Sequence, residues 1–206
     1  MSSKGWGQAK PIDTNATAEG ITIPNSHWVD EAQTVLRGME PRTDEQFDEL
    51  RAVGIERVNV CTYQAVSGAG RDLIEDLVHQ TTTLLNGRPL EIEGEAKQIA
   101  FNAVPHIDTF QDNRYTREEM KMVWETRKIF GDDSILVNPT AVRIPVFYGH
   151  SEAVHIETRD KITAEKACEL LANAPGVTLL DGVKTGAYPT AVTEASGKDP
   201  VYVGRV

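Results

Sequence analysis

Apolar residues along this chain recur with two periods, and the changes between them mark its elements. Residues 1 to about 28 sustain neither period and are rich in Gly, Pro, Asn, Thr and Ser, so they read as a loop or a loosely attached arm. In 28–38, Trp28, Val29, Ala32, Val35 and Leu36 recur at helical spacing. In 43–53, Thr43 precedes an acidic first turn, and Phe47, Leu50 and Val53 lie on one face. Gly54 ends that helix. Ile55–Cys61 then alternates apolar and polar residues and is rich in Val, as a half-buried strand should be. The segment YQAVSGAG leads into a helix over Asp72–Leu85, with Leu73, Ile74, Leu77, Val78, Thr81, Leu84 and Leu85 in one stripe. Asn86-Gly87 and Pro89 stop it.

Ile99–Val104 reads as a further strand. Thr116 is placed to cap a helix running from Arg117 to about Phe130, which Gly131-Asp132-Asp133 ends. Ile135–Tyr148 and Ala153–Thr158 read as strands meeting near Gly149, and Thr163 caps a helix to Asn173. Val177–Leu180 and Val201–Val203 are short strands. Several strands follow one another without an intervening helix. The pattern therefore predicts an α+β fold, a mixed, largely antiparallel sheet with helices packed on one face. Residues 1–53 form an N-terminal arm with short helices, and residues 54–206 form the main domain.

Composition narrows the function classes. Of 206 residues, 31 are acidic and 21 basic, for a formal net charge of −10. That argues against nucleic acid as a partner, because phosphate contacts need clustered Lys and Arg, and against adhesion to anionic lipid. No apolar run approaches the roughly 20 residues of a spanning helix. The first ten residues, MSSKGWGQAK, lack the apolar stretch of a signal peptide. Cys61 and Cys168 are too few for a secreted disulfide scaffold, which points to a reducing compartment, the cytoplasm.

Several polar residues stand where packing alone would not put them. Gln64 lies just past a strand end, beside the small-residue turn Ser67-Gly68-Ala69-Gly70. Such a turn lets backbone N–H groups approach a ligand, and it also fits a plain strand-to-helix connection. Glu118 and Lys121 are one helical turn apart and project together. They could hold an ammonium and an anionic group, or form an ion pair on a solvated face. Arg143 interrupts the apolar segment AVRIPVFYG, where a guanidinium must be paired and its fork suits a carboxylate. His150 follows Gly149 at the end of that segment, a usual place for a general base. Cys61 reads as a buried, inert thiol on its strand, and Cys168 as part of a helix's apolar face. On one helix, Met120, Val123 and Trp124 read as core or as a subunit interface. His79, His106 and His155 lack metal-ligand spacing, so no metal site is expected, and the chain has no G-x-G-x-x-G and no Walker loop.

The segments TYQAVSGAG, IAFNAVPHID, YTREEMKMVWETRKI, VRIPVFYGHSEAV, YPTAVTEASGKD and VYVGRV, in this order, resemble bacterial aspartate-semialdehyde dehydrogenase from about Gly54 to Val206. The resemblance implies NADPH-dependent reductive dephosphorylation of L-aspartyl phosphate to L-aspartate semialdehyde, on the route to lysine, threonine and methionine. In that family a cysteine thiolate attacks the acyl phosphate, phosphate leaves, and hydride reduces the thioester. The resemblance also implies roles. Gln64 positions the acyl intermediate, and Ser67 and Gly68 lie against the nicotinamide end of NADP. Glu118 binds the substrate amino group, Lys121 the phosphate and Arg143 the α-carboxylate, while His150 is the acid/base. It further implies a homodimer or homo-oligomer.

The sequence departs from the family in its first 53 residues, where neither the glycine-rich NADP loop nor the Asn-Cys-Ser/Thr nucleophile motif is recognisable. Cys61 stands three places before Gln64, where the family usually has a small hydroxyl residue, and does not match the nucleophile motif. The expectation is a catalytic and dimerisation domain without most of the cofactor domain and without the family's last helix. The alternative is a non-catalytic dimerisation or assembly module derived from that enzyme, and a third reading is the related N-acetyl-glutamyl-phosphate kind of reductase.

Overall fold

A computed structural model of the chain describes residues 53–92, 94 and 96–206. The N-terminal arm and the helices expected in 28–38 and 43–53 lie outside these residues, apart from residue 53. The central element is β1 (Ile55–Gln64). It pairs in parallel with β2 (Leu136–Arg143) and antiparallel with β3 (Ser151–Thr158), so the strand order is β2-β1-β3. Between β1 and β2 lie a 3₁₀ turn (Val66–Ala69), α1 (Arg71–Leu85) and α2 (Arg117–Phe130). After β3 come α3 (Ala164–Ala172), β4 (Val177–Leu179), a π-helical turn (Ala191–Ala195) and β5 (Val201–Val203). β4 and β5 form a separate parallel pair.

The fold is α+β with a mixed sheet, as the interleaved pattern predicts. Its balance is less antiparallel than expected: of the pairings β1–β2, β1–β3 and β4–β5, only β1–β3 is antiparallel. β1 and β2 are joined by a crossover through two helices, which returns the chain in the same direction.

Alternation along β1 sorts its side chains. Val58, Val60, Thr62 and Gln64 are buried, while Arg57, Asn59, Cys61 and Tyr63 face the other way. On the buried face, α2 lays Met122 against Val58, Val60, Ile107, Ile135 and Ala141. The opposite face is open to solvent at Tyr63, Leu136, Asn138, Thr140, His155 and Glu157. Cys61 therefore points away from the core rather than into it, and Cys168 is likewise part-exposed, with its thiol 3.5 Å from Asp181 Oδ2. On α2, Val123 is buried and Met120 half-buried, whereas Trp124 is half exposed.

Two strand expectations are corrected. Ile99–Val104 is not a strand. The buried Gln80 of α1 accepts the backbone N–H groups of Ile99 (2.9 Å) and Ala100 (3.2 Å), and the chain turns through Phe101 at φ +58°. Only Val104 reaches the sheet, as a single bridge to Arg143. The long strand expected over Ile135–Tyr148 stops at Arg143, because Pro145 has no N–H to continue a ladder. Helix α2 matches its expectation closely. Thr116 accepts from the Glu119 N–H (3.2 Å), Glu119 accepts from the Thr116 N–H (2.7 Å), and Gly131 closes the helix in the left-handed region at φ +62°.

Candidate active site

Strand direction alone brings three of the expected residues together. β1 ends at Gln64, its parallel neighbour β2 ends beside it at Arg143, and its antiparallel neighbour β3 starts opposite Tyr63 at Ser151. Gln64 and Arg143 are register partners and share the buried face, and His150 immediately precedes β3. All three therefore sit at one end of the sheet. Past β2, the chain stays beside the turn that follows β1. Ile144 donates to the Gln64 carbonyl (3.0 Å), Val66 to that of Val146 (2.8 Å) and Ser67 to that of Phe147 (3.2 Å).

Ala65, fully buried between Gln64 and the 3₁₀ turn, is the hub. Its carbonyl accepts from Arg143 Nη1 at 2.7 Å, and its N–H donates to His150 Nδ1 at 3.3 Å. Gly68 packs against both groups, since a Cβ there would lie 3.3 Å from Arg143 Nη1 and 3.4 Å from His150 Nε2. From the other side comes Glu118 in the first turn of α2, 6% exposed. Its Oε1 accepts from Gln64 Nε2 at 3.2 Å, and its Oε2 lies 3.5 Å from Lys121 Nζ. Gln64 Nε2 also donates to Thr62 Oγ1 at 3.4 Å. Gln64, Gly68, Glu118, Lys121, Arg143 and His150 thus form one linked cluster, with Ser67 in the adjoining turn.

The electrostatics follow from burial. Burial pulls the Arg143 guanidinium below its ordinary pKa, and the Glu118 carboxylate pushes it back up. His150 is driven down from 6.5 to about 4, first by desolvation and second by the Arg143 charge. The ring is therefore neutral at neutral pH. With Nδ1 facing the Ala65 N–H, the ring's own proton sits on Nε2, which is buried and has no partner. An orphaned donor beside a guanidinium marks a place for a polar ligand.

One expected site feature is limited. The N–H groups of Ser67, Gly68 and Gly70 already donate to Phe147, Ala65 and Ser67 carbonyls, so this turn does not fit a dinucleotide's phosphates. Among the described residues no cluster of His, Cys, Asp and Glu could hold a metal. Sequence reasoning missed Ala65, which acts through its backbone, and Thr62, which supports Gln64. It also missed the Ala191 contact with Gly149 described below.

The model of the family described as semialdehyde dehydrogenase, dimerisation domain, matches residues 48–206. The chain belongs to this semialdehyde dehydrogenase family. Its relatives within the family include aspartate-semialdehyde dehydrogenase of Legionella pneumophila, 63% identical over 155 residues, which are 75% of this chain and 45% of that protein. The enzyme of that name from Bacillus subtilis is 48% identical over 164 residues, 76% of this chain and 47% of that protein. The crystal structure of aspartate semialdehyde dehydrogenase II from Vibrio cholerae superposes with a TM-score of 0.75 at 53% identity, covering 85% of this chain and 49% of that one. The same enzyme complexed with ASA gives the same score. The chain thus spans about half the length of the semialdehyde dehydrogenases it matches.

Proposed function

We propose that this chain is the substrate-binding and dimerisation part of an aspartate-semialdehyde dehydrogenase, acting on L-aspartyl phosphate and L-aspartate semialdehyde. The observation that carries the reading is the buried cluster itself: a forked cation, a carboxylate and an orphaned imidazole N–H within one pair of linked hydrogen-bond sets. Arg143 offers its fork to the α-carboxylate and Glu118 takes the α-ammonium, while Lys121 faces the phosphate. Gln64, anchored on Glu118 and Thr62, orients the acyl group. His150 presents Nε2–H to the oxygen that gains charge at the reacting carbon, a donor held ready in a water-poor site. Residues 54–206 act as the catalytic and dimerisation unit and residues 1–53 as a separate arm.

The nucleophile and the phosphate-binding part of the NADP site lie, on this reading, outside the described residues. Cys61 points to the opposite face of the sheet, and the N–H groups of Ser67, Gly68 and Gly70 are already taken by carbonyls. A coupled assay with aspartate semialdehyde, phosphate and NADP tests the proposal, on the chain alone and with a chain supplying the cofactor domain. Turnover is expected in the combined mixture, and its absence in both counts against the enzyme. A second reading, an assembly module, is favoured by the open sheet face carrying Tyr63 and Leu136, 40% and 47% exposed. We propose that a second copy of this chain covers that face. Light scattering coupled to size exclusion should show a dimer, and Leu136→Glu should shift it toward monomer.

A further inference from the structure

His150 is held through its backbone as well as its ring. Gly149 has φ +83°, a conformation that L side chains rarely adopt, and a Cβ there would lie 2.7 Å from the Ala191 carbonyl oxygen and 3.0 Å from Ala191 Cβ. Gly149 is thus pressed directly against the first residue of the π-helical turn. Such turns are rare and occur disproportionately at functional sites.

Besides its backbone bonds, the turn is closed on itself by one carboxylate. Glu194 Oε2 accepts from the Thr190 N–H at 2.7 Å and from Thr190 Oγ1 at 2.8 Å, while Thr190 Oγ1 in turn accepts from the Thr193 N–H at 3.3 Å. The Ala191 carbonyl that meets Gly149 also accepts from the Ser196 N–H at 2.8 Å, so its direction is fixed by the far end of the turn. A continuous chain of contacts therefore runs from Glu194 through Thr190 and Ala191 to Gly149 and His150.

We propose that Glu194 is a positioning residue for His150: by tying down Thr190 it sets the Ala191 carbonyl against Gly149 and so holds the imidazole on the Ala65 N–H. This deepens the proposed function, because it assigns the support of that site's proton-bearing group. The contact chain does not itself require turnover, so a readout on the histidine ring itself separates the two ideas.

The experiment records long-range proton–nitrogen spectra of the histidine rings in the 206-residue chain across a pH series. In the unchanged protein, His150 should show Nε2–H with Nδ1 as acceptor and should titrate near 4, with Arg143 as the charged group facing it. Glu194→Ala should mix the two tautomers and move the titration upward toward 6.5. Glu194→Gln, which keeps an acceptor oxygen, should restore most of the original behaviour. The exposed His106 and His155 should not respond to either change. Thr190→Val removes the hydroxyl bond to Glu194 and keeps the N–H bond, so it should shift His150 in the same direction by a smaller amount, and it carries the test if Glu194→Ala fails to fold. An unchanged His150 tautomer and titration in a folded Glu194→Ala or Thr190→Val chain overturns the proposal.

Discussion

Acid should destabilise this protein through His150, and replacing that residue with Gln should remove the effect. The folded-state pKa is lowered from 6.5 to about 4, by burial first and by Arg143 second. The unfolded chain therefore binds more protons than the folded chain between those values. The histidine's stabilising contribution is full above about pH 6.5 and is lost as pH falls toward about 4. With about 1.36 kcal/mol per pH unit across that window, lowering the pH from about 7 to about 5 should cost about 2 kcal/mol. Replacing His150 alone isolates its share from that of the other titrating groups. Urea unfolding of the chain and of His150→Gln at both pH values provides the measurement. The variant's loss should be smaller by about 2 kcal/mol. Equal losses in the two proteins would refute the reasoning, since they would mean that His150 is neither desolvated nor facing the Arg143 charge.

Two further outcomes test other parts of the structure. Thr116→Ala breaks the capping box of α2 and should lower stability by about 1 kcal/mol in urea unfolding; no loss would mean that the helix start is held by packing alone. Cys61→Ser should leave turnover of the assembled enzyme within about twofold and stability within about 0.5 kcal/mol, because the side chain faces away from Gln64. A drop of more than about a hundredfold in turnover would identify Cys61 as the nucleophile and overturn the placement of the site.

Features set by near neighbours in the chain were legible. Thr116 and Glu119 are three residues apart, so the capping box depends on local geometry alone, and Gly131 ends α2 for the same reason. Parity along β1 puts Cys61 on the face opposite Gln64, but the reading of Cys61 as buried failed, because the packing of α2 decides which face is covered. The Ile99–Val104 segment misled because its apolar residues do suit a strand, while the competing acceptor, Gln80, lies on another element.

Sequence by itself determined the order of elements, the helix caps and the identity of the polar groups available for chemistry, because each depends on side-chain type and short spacing. The tertiary structure decided where those groups meet. The pairing of Gln64 with Arg143 is a choice of strand register across a long crossover, and a slip of one residue would send the whole face to the other side. The contacts of Ala65 and Ala191 are backbone contacts, which side-chain chemistry does not encode, so they appear only once the chain has folded back on itself.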